Sequence, residues 1–174
     1  MQASKRIAAA SLGASAALIT AIALHEGFDP VATRPVPNDP LTYGHGATRD
    51  AQGLPLEEGM TITRKEARAL LTTQVNDDYA AHIRECAGDV LMEQHEFDAV
   101  VDLAYNIGWP KVCSSTVIKE FRAGNYISGC EAIYKFSRLH GRDCALPENR
   151  NRKDGCRGIM ARRDKQFAMC MGVR

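Results

Sequence analysis

The sequence lacks an excess of charge of either sign: 22 lysines and arginines face 21 aspartates and glutamates, for a formal net charge of +1. Nucleic-acid binding driven by the charge of the whole molecule is thereby excluded. Repeats are missing, and low complexity is confined to an alanine-rich start, so the 174 residues read as one globular domain rather than an array or a disordered tail. Metal motifs are missing too. The six cysteines (86, 113, 130, 144, 156 and 170) fall in no zinc-finger spacing, and neither His25-Glu26 nor His95-Glu96 has a second histidine four positions after the first. The chain therefore calls for no metal and no cofactor.

What is present is uneven. From Arg138 to the end there are ten basic residues against four acidic ones, a region suited to an anionic polymer or simply to a solvated basic face. The even number of cysteines favours disulfides, which persist in oxidising compartments and place the folded chain outside the cytoplasm. The polar stretch CALPENRNRKDGC predicts a bridge between Cys144 and Cys156.

Long hydrophobic runs are scarce. The one candidate is Ile7–Leu24, eighteen uncharged residues that come after Lys5 and Arg6 and would span about 27 Å as a helix. The basic pair orients the remaining 150 residues to the exported side. Eight of the eighteen residues are alanine and only six are isoleucine or leucine, so the drive to stay in lipid is weak. Three fates are open: a signal cut near Ala21-Ile22-Ala23, a permanent anchor, or a helix that enters the membrane and later leaves it. The last is the expectation, with segment 1–24 as membrane-active helix and 25–174 as a single domain.

Directly after this run, HEGFDPVATRPVPNDPLTYGHGAT is dense in proline, glycine and aspartate and predicts a hairpin-rich lip. Beyond it the pattern is helical. Thr63 and Glu66 form a capping-box signature ahead of Ala67, Leu70, Leu71, Val75 and Tyr79 at helical spacing. Phe97, Val100, Val101, Leu103 and Ala104 repeat the pattern up to Gly108. Shorter helices start after Ser115-Thr116 and at Tyr126, and IMARRDKQFAMCM forms the last. The fold class is α+β, mostly α, with a small β-hairpin lobe.

HEG at a helix end, then YGHG, then QHEFDAVVDLAYNIGWPKVCSST and GCRGIMARRDKQFAMC, in this order and spacing, resemble the phage-type lysozymes of glycoside hydrolase family 24. Within them the chain is similar to endolysins with a signal-anchor-release segment. The likeness covers nearly the whole chain and implies a lysozyme-like fold. It implies an exported monomeric muramidase, first tethered to the inner membrane through residues 7–24 and active in the periplasm. The substrate implied is the bond between N-acetylmuramic acid and N-acetylglucosamine in peptidoglycan, with host lysis as the outcome. The family pattern is a Glu, an Asp nine positions later and a Thr six further on. Glu26 fits the first place, Pro35 stands where the Asp belongs, Asp39 is the nearest acid before LTYGHG, and Thr42 precedes the Gly-x-Gly turn.

Glycoside hydrolysis needs a proton for the leaving oxygen and a water delivered to the anomeric carbon. Glu26 is the expected general acid, its carboxyl kept protonated by partial burial and by the negative end of the helix. Asp39 is the expected base or electrostatic partner, and Thr42 the residue that positions water. Tyr43 and His45 are expected to close the hairpin. Asn106 suits a helix cap or a sugar contact, the Ser115-Thr116 pair a sugar contact across the cleft, and Trp109 core packing or sugar stacking. Two rivals stand beside the hydrolase. One is a non-catalytic, disulfide-stapled wall-binding module, favoured by the missing Asp; the other is a lytic transglycosylase, which also needs a single acid.

Overall fold

A computed structural model describes residues 5–34, 36 and 39–173. The apolar run does not form one helix. Strand β1 (Ile7–Ala8) leads into a 3-10 turn (Ala9–Ser11), and helix α1 (Ala16–Glu26) starts only after Ser15, whose hydroxyl accepts the Leu18 N–H at 3.1 Å. In the folded chain residues 7–24 therefore do not form the single helix that a membrane span would need. Ser15 supplies a helix start in mid-run, and the two halves of the run are buried in different compact units. Among the described residues no helix is long and apolar enough to cross a membrane.

The chain divides into two such units, Ala14–Asp78 and Met1–Gly13 with Tyr79–Arg174. In the first, α1 is succeeded by the antiparallel hairpin of β2 (Asp29–Thr33) and β3 (Thr42–Gly44), with Asp29 opposite Gly44 and Thr33 opposite Thr42. Helix α2 (Arg64–Gln74) comes next. It begins as predicted: Glu66 N–H donates to the Thr63 hydroxyl at 3.3 Å, and the Glu66 carboxylate accepts the Thr63 N–H at 2.9 Å. Leu18 and Ile22 of α1, with Leu71 of α2, are fully buried, while Ala32, Tyr43, Ala47, Leu56 and Leu70 form a small core under the hairpin.

A π-helical turn, Val75–Ala80, carries the chain from one unit to the other. Val75, Ala80 and Ile83 are all fully buried. The five-residue step from Val75 to Ala80 suits the wider π turn, which brings both inward where an α-helical step would not.

The second unit continues with α3 (Ala81–Ala87), β4 (Leu91–Met92) and α4 (Gln94–Ile107). Strand β1 pairs with β4, Ile7 opposite Met92, so the N-terminus supplies an edge of this unit. Phe97, Val100, Val101, Leu103 and Ala104 of α4 are completely buried, as their spacing predicts. Then come α5 (Trp109–Cys113), α6 (Thr116–Arg122), α7 (Tyr126–Glu131), the short strands β5 (Arg138–Leu139) and β6 (Arg142–Asp143), α8 (Pro147–Arg150) and α9 (Cys156–Cys170). Helix α9 packs along α4.

All six cysteines are bridged: Cys86–Cys113, Cys130–Cys170 and the expected Cys144–Cys156. The basic C-terminal region is partly neutralised by its own acids. Asp154 takes Arg142 at 2.5 Å and Arg152 at 2.9 Å, and Asp164 takes Arg150 at 2.6 Å.

Candidate active site

Glu26 is the last residue of α1. Gly27 comes next in a left-handed conformation (φ 80°) that ends the helix and turns the chain toward β2. His45, in the turn after β3, donates from Nδ1 to the Gly27 carbonyl, which ties the end of α1 to the hairpin. The rings of Phe28 and His45 lie 5.8 Å apart, and the Arg64 guanidinium sits 4.4 Å over the Phe28 ring. These contacts fix the helix end that carries Glu26. Its side chain is exposed, not partly buried as expected, because it projects from the last residue of the helix.

Thr42 opens β3 opposite Thr33 and is half-buried. Gly44, two residues on, has φ 63°, and a Cβ there would come within 3.0 Å of Ala67 Cβ. Glycine is therefore required where the hairpin meets α2. Tyr43 turns the other way, into the small core, and burial there raises its hydroxyl pKa, with Asp50 and Glu66 adding to the effect. The structural role expected for Tyr43 and His45 matches these positions.

Asp39 lies on the loop between β2 and β3 and is exposed; its N–H donates to the Val36 carbonyl at 3.1 Å and its own carbonyl accepts from Arg34. Pro35, where the family's Asp belongs, lies outside the described residues. Glu26, Asp39 and Thr42 thus belong to the same unit, Glu26 just ahead of β2, Asp39 in the loop of the hairpin and Thr42 at the loop end of β3.

The other expected sugar contacts have different occupations. Asn106 does not cap α4, whose C-cap is Gly108; its Oδ1 accepts from Arg163 Nη2 at 2.6 Å. One face of Trp109 is covered by His82, the rings stacked at 3.9 Å and 21°. The Ser115 hydroxyl accepts the Val117 N–H at the start of α6. Thr116 lines a cavity of about 370 Å³ with Lys111, Ser114 and Lys135, and its hydroxyl accepts from Lys135 Nζ at 3.2 Å.

Nothing in the sequence pattern marks the buried cation of this unit. Arg163 donates to the Phe136 carbonyl at 2.9 Å, to Asn106 and to Gln166, whose amide reaches Asp102 at 2.6 Å. Desolvation lowers its pKa to about 10, so it remains charged at neutral pH. Its inward-turned donors meet acceptors, which is what permits a charge so deep in the unit.

A mostly helical chain with a small hairpin and a glutamate closing the helix that precedes it is a protein of lysozyme fold. An endolysin from Escherichia coli O157:H7 phage FAHEc1 superposes with a TM-score of 0.75 at 27% identity, over 94% of this chain and 96% of that one. A P22 lysozyme variant shares the fold, with a TM-score of 0.70 at 22% identity over 92% and 99% of the two chains. The phage lysozyme family model matches residues 23–165, and the chain belongs to that family. Among its relatives is the SAR-endolysin of Escherichia phage N15, 32% identical over 128 residues, which cover 74% of this chain and 70% of that protein.

Proposed function

We infer that the chain is a peptidoglycan-hydrolysing endolysin, a muramidase that cuts between N-acetylmuramic acid and N-acetylglucosamine and so lyses the host. The observation that carries this reading is Glu26 at the terminus of α1, held against the hairpin through Gly27 and His45 inside the segment that matches the family. In this role the Glu26 carboxyl protonates the leaving oxygen, Thr42 holds the attacking water, and Asp39 supplies a compensating negative charge. The glycan strand is the partner, and the monomer is the working form.

The N-terminal run is read as a temporary anchor that keeps the exported enzyme at the inner membrane until it leaves the bilayer and acts in the periplasm. Two features favour retention over cleavage near Ala23. Leu18, Ile19 and Ile22 are buried core residues, and Arg6 is ion-paired with a buried glutamate, so a cut chain would lose both. The mass of the periplasmic protein tests this directly, since a chain beginning near Leu24 would refute retention.

Glu26→Gln tests the hydrolase. The variant should melt with the wild type, because the side chain is exposed, and should clear peptidoglycan suspensions at least about 100-fold more slowly. Wild-type clearing by this variant would leave the wall-binding reading standing. Products ending in 1,6-anhydro sugars would convert the assignment to a transglycosylase.

A further inference from the structure

A cavity of about 360 Å³ in the Ala14–Asp78 unit has no part in the chemistry above. Its walls include Thr20 and Leu24 of α1, Phe28, His45, and Arg64 and Arg68 of α2; Glu26 is not among the residues that line it. We propose that it binds an anionic phospholipid, with the headgroup phosphate on the two arginines and the start of an acyl chain along Leu24 and Phe28.

Charge is the first reason. No acidic residue lines the cavity, and neither arginine has a carboxylate partner among the described residues. The Arg64 guanidinium carbon lies 4.4 Å over the centre of the Phe28 ring, a cation–π contact that holds this charge at the cavity wall. Arg68 is steered toward α1 by donating from Nη2 to Thr20 Oγ1 at 2.6 Å. Two forked donors on one helix, one turn apart, suit the oxygens of a phosphate diester.

Apolar surface is the second reason, and it selects the source of the phosphate. Leu24 is 81% exposed beside the arginines, an uncovered leucine on the rim of a cationic cavity. Free phosphate would use the arginines and leave Leu24 idle, while a zwitterionic phospholipid would use Leu24 but bring its own headgroup cation beside the two arginines. An anionic lipid uses both. The cavity is too small for a whole phospholipid, which fits capture of a headgroup and its first methylenes with the remaining chain outside. The inference is independent of the hydrolase reading, since no catalytic residue enters it.

The experiment is calorimetric titration of the full-length, oxidised protein with dihexanoyl phosphatidylglycerol below its critical micelle concentration. A monomeric lipid offers no bilayer for residues 7–24 to enter, so saturable binding reads the cavity. Arg64→Gln/Arg68→Gln should weaken binding roughly tenfold or more, and Leu24→Ser, an exposed position, by roughly fivefold. Arg152→Gln/Lys153→Gln, the same charge change on the C-terminal region, should leave the affinity unaltered. Dihexanoyl phosphatidylcholine and inorganic phosphate should each bind at least about fivefold more weakly. Absence of saturable binding overturns the proposal. So does equal binding by the double arginine variant, an equal loss in the Arg152/Lys153 variant, or inorganic phosphate binding as tightly as the lipid.

Discussion

Arg6 grips Glu96 across 90 positions of sequence: Nε donates to Oε2 at 3.2 Å and Nη2 to Oε1 at 2.7 Å, while the guanidinium lies 3.7 Å over the Tyr126 ring. Glu96 is 2% exposed and also accepts the Glu93 N–H at 2.8 Å. On the tethering reading, Arg6 stays on the cytoplasmic side of the membrane while residues 7–24 are inserted, so this pair forms only after release. Removing Arg6 alone strands a buried carboxylate. Arg6→Ala should therefore destabilise the released protein by about 3 kcal/mol, and adding Glu96→Gln should recover part of that loss by removing the charge. Urea denaturation of the three proteins checks it; a loss below about 1 kcal/mol for Arg6→Ala would show the pair to be idle.

The disulfides should differ in weight according to the chain they close. Cys130–Cys170 spans 40 residues and ties α7 to the end of α9, whereas Cys144–Cys156 spans 12. Loop-closure entropy grows with the logarithm of length, so replacing the first pair by alanines should cost about 1 kcal/mol more than replacing the second. Losing the second should be local. It releases the β5–β6 hairpin, whose turn places His140 and Gly141 at positive φ, and the Asp154 ion pairs that flank it. Denaturation midpoints for the two double variants, with exchange protection at residues 138–156, separate the two effects.

Features that neighbouring residues encode were legible in the sequence. The Thr63–Glu66 box, the inward face of α4 and the Cys144–Cys156 bridge each depend on residues within about a dozen positions of each other, where spacing and composition carry the information. Long-range partners were not legible. The hydropathy of residues 7–24 satisfies a membrane helix and two buried half-segments equally well, and only the pairing of Ile7 with Met92 and the packing of α1 on α2 distinguish them. Asn106 beside Gly108 reads as a cap until Arg163 arrives from 57 positions away. The π turn is hidden because Val75 and Tyr79 continue an α-helical spacing in sequence, while burial tracks Val75 and Ala80. At the candidate site, the uncharged run of residues 7–24 pointed to a helix ahead of Glu26, but the chemical role of Glu26 came from resemblance to a family.

Glu66 should make the stability of the protein fall in acid. Its pKa is lowered by the Thr63 hydroxyl first and by the Thr63 N–H next. A carboxyl whose folded pKa lies below its unfolded value stabilises the fold fully above the unfolded value, 4.5, and loses that contribution as the pH falls through the folded one. The melting-temperature gap between wild type and Glu66→Gln should therefore be widest near neutrality and close below the ordinary carboxylate range. A gap that stays constant down to acid pH would remove Glu66 as the source.

Asp39 and Thr42 should separate by the quantity each one changes. Thr42 is half-buried on β3 with a defined register opposite Thr33, so its backbone is held in place; Asp39 rides on an exposed loop near the tip. If Thr42 positions the attacking water, Thr42→Ala should lower kcat by roughly 100-fold while KM changes little, because the lost interaction matters mainly in the transition state. Thr42→Ser, which keeps the hydroxyl, should restore most of the rate. A charge on an exposed, solvated loop is screened, so Asp39→Asn should cost roughly tenfold or less in kcat. A wild-type rate in Asp39→Asn would show that the second carboxylate is dispensable and that Glu26 with Thr42 suffices. A serine variant as inactive as the alanine would instead show that Thr42 acts through the packing of its methyl group against the hairpin.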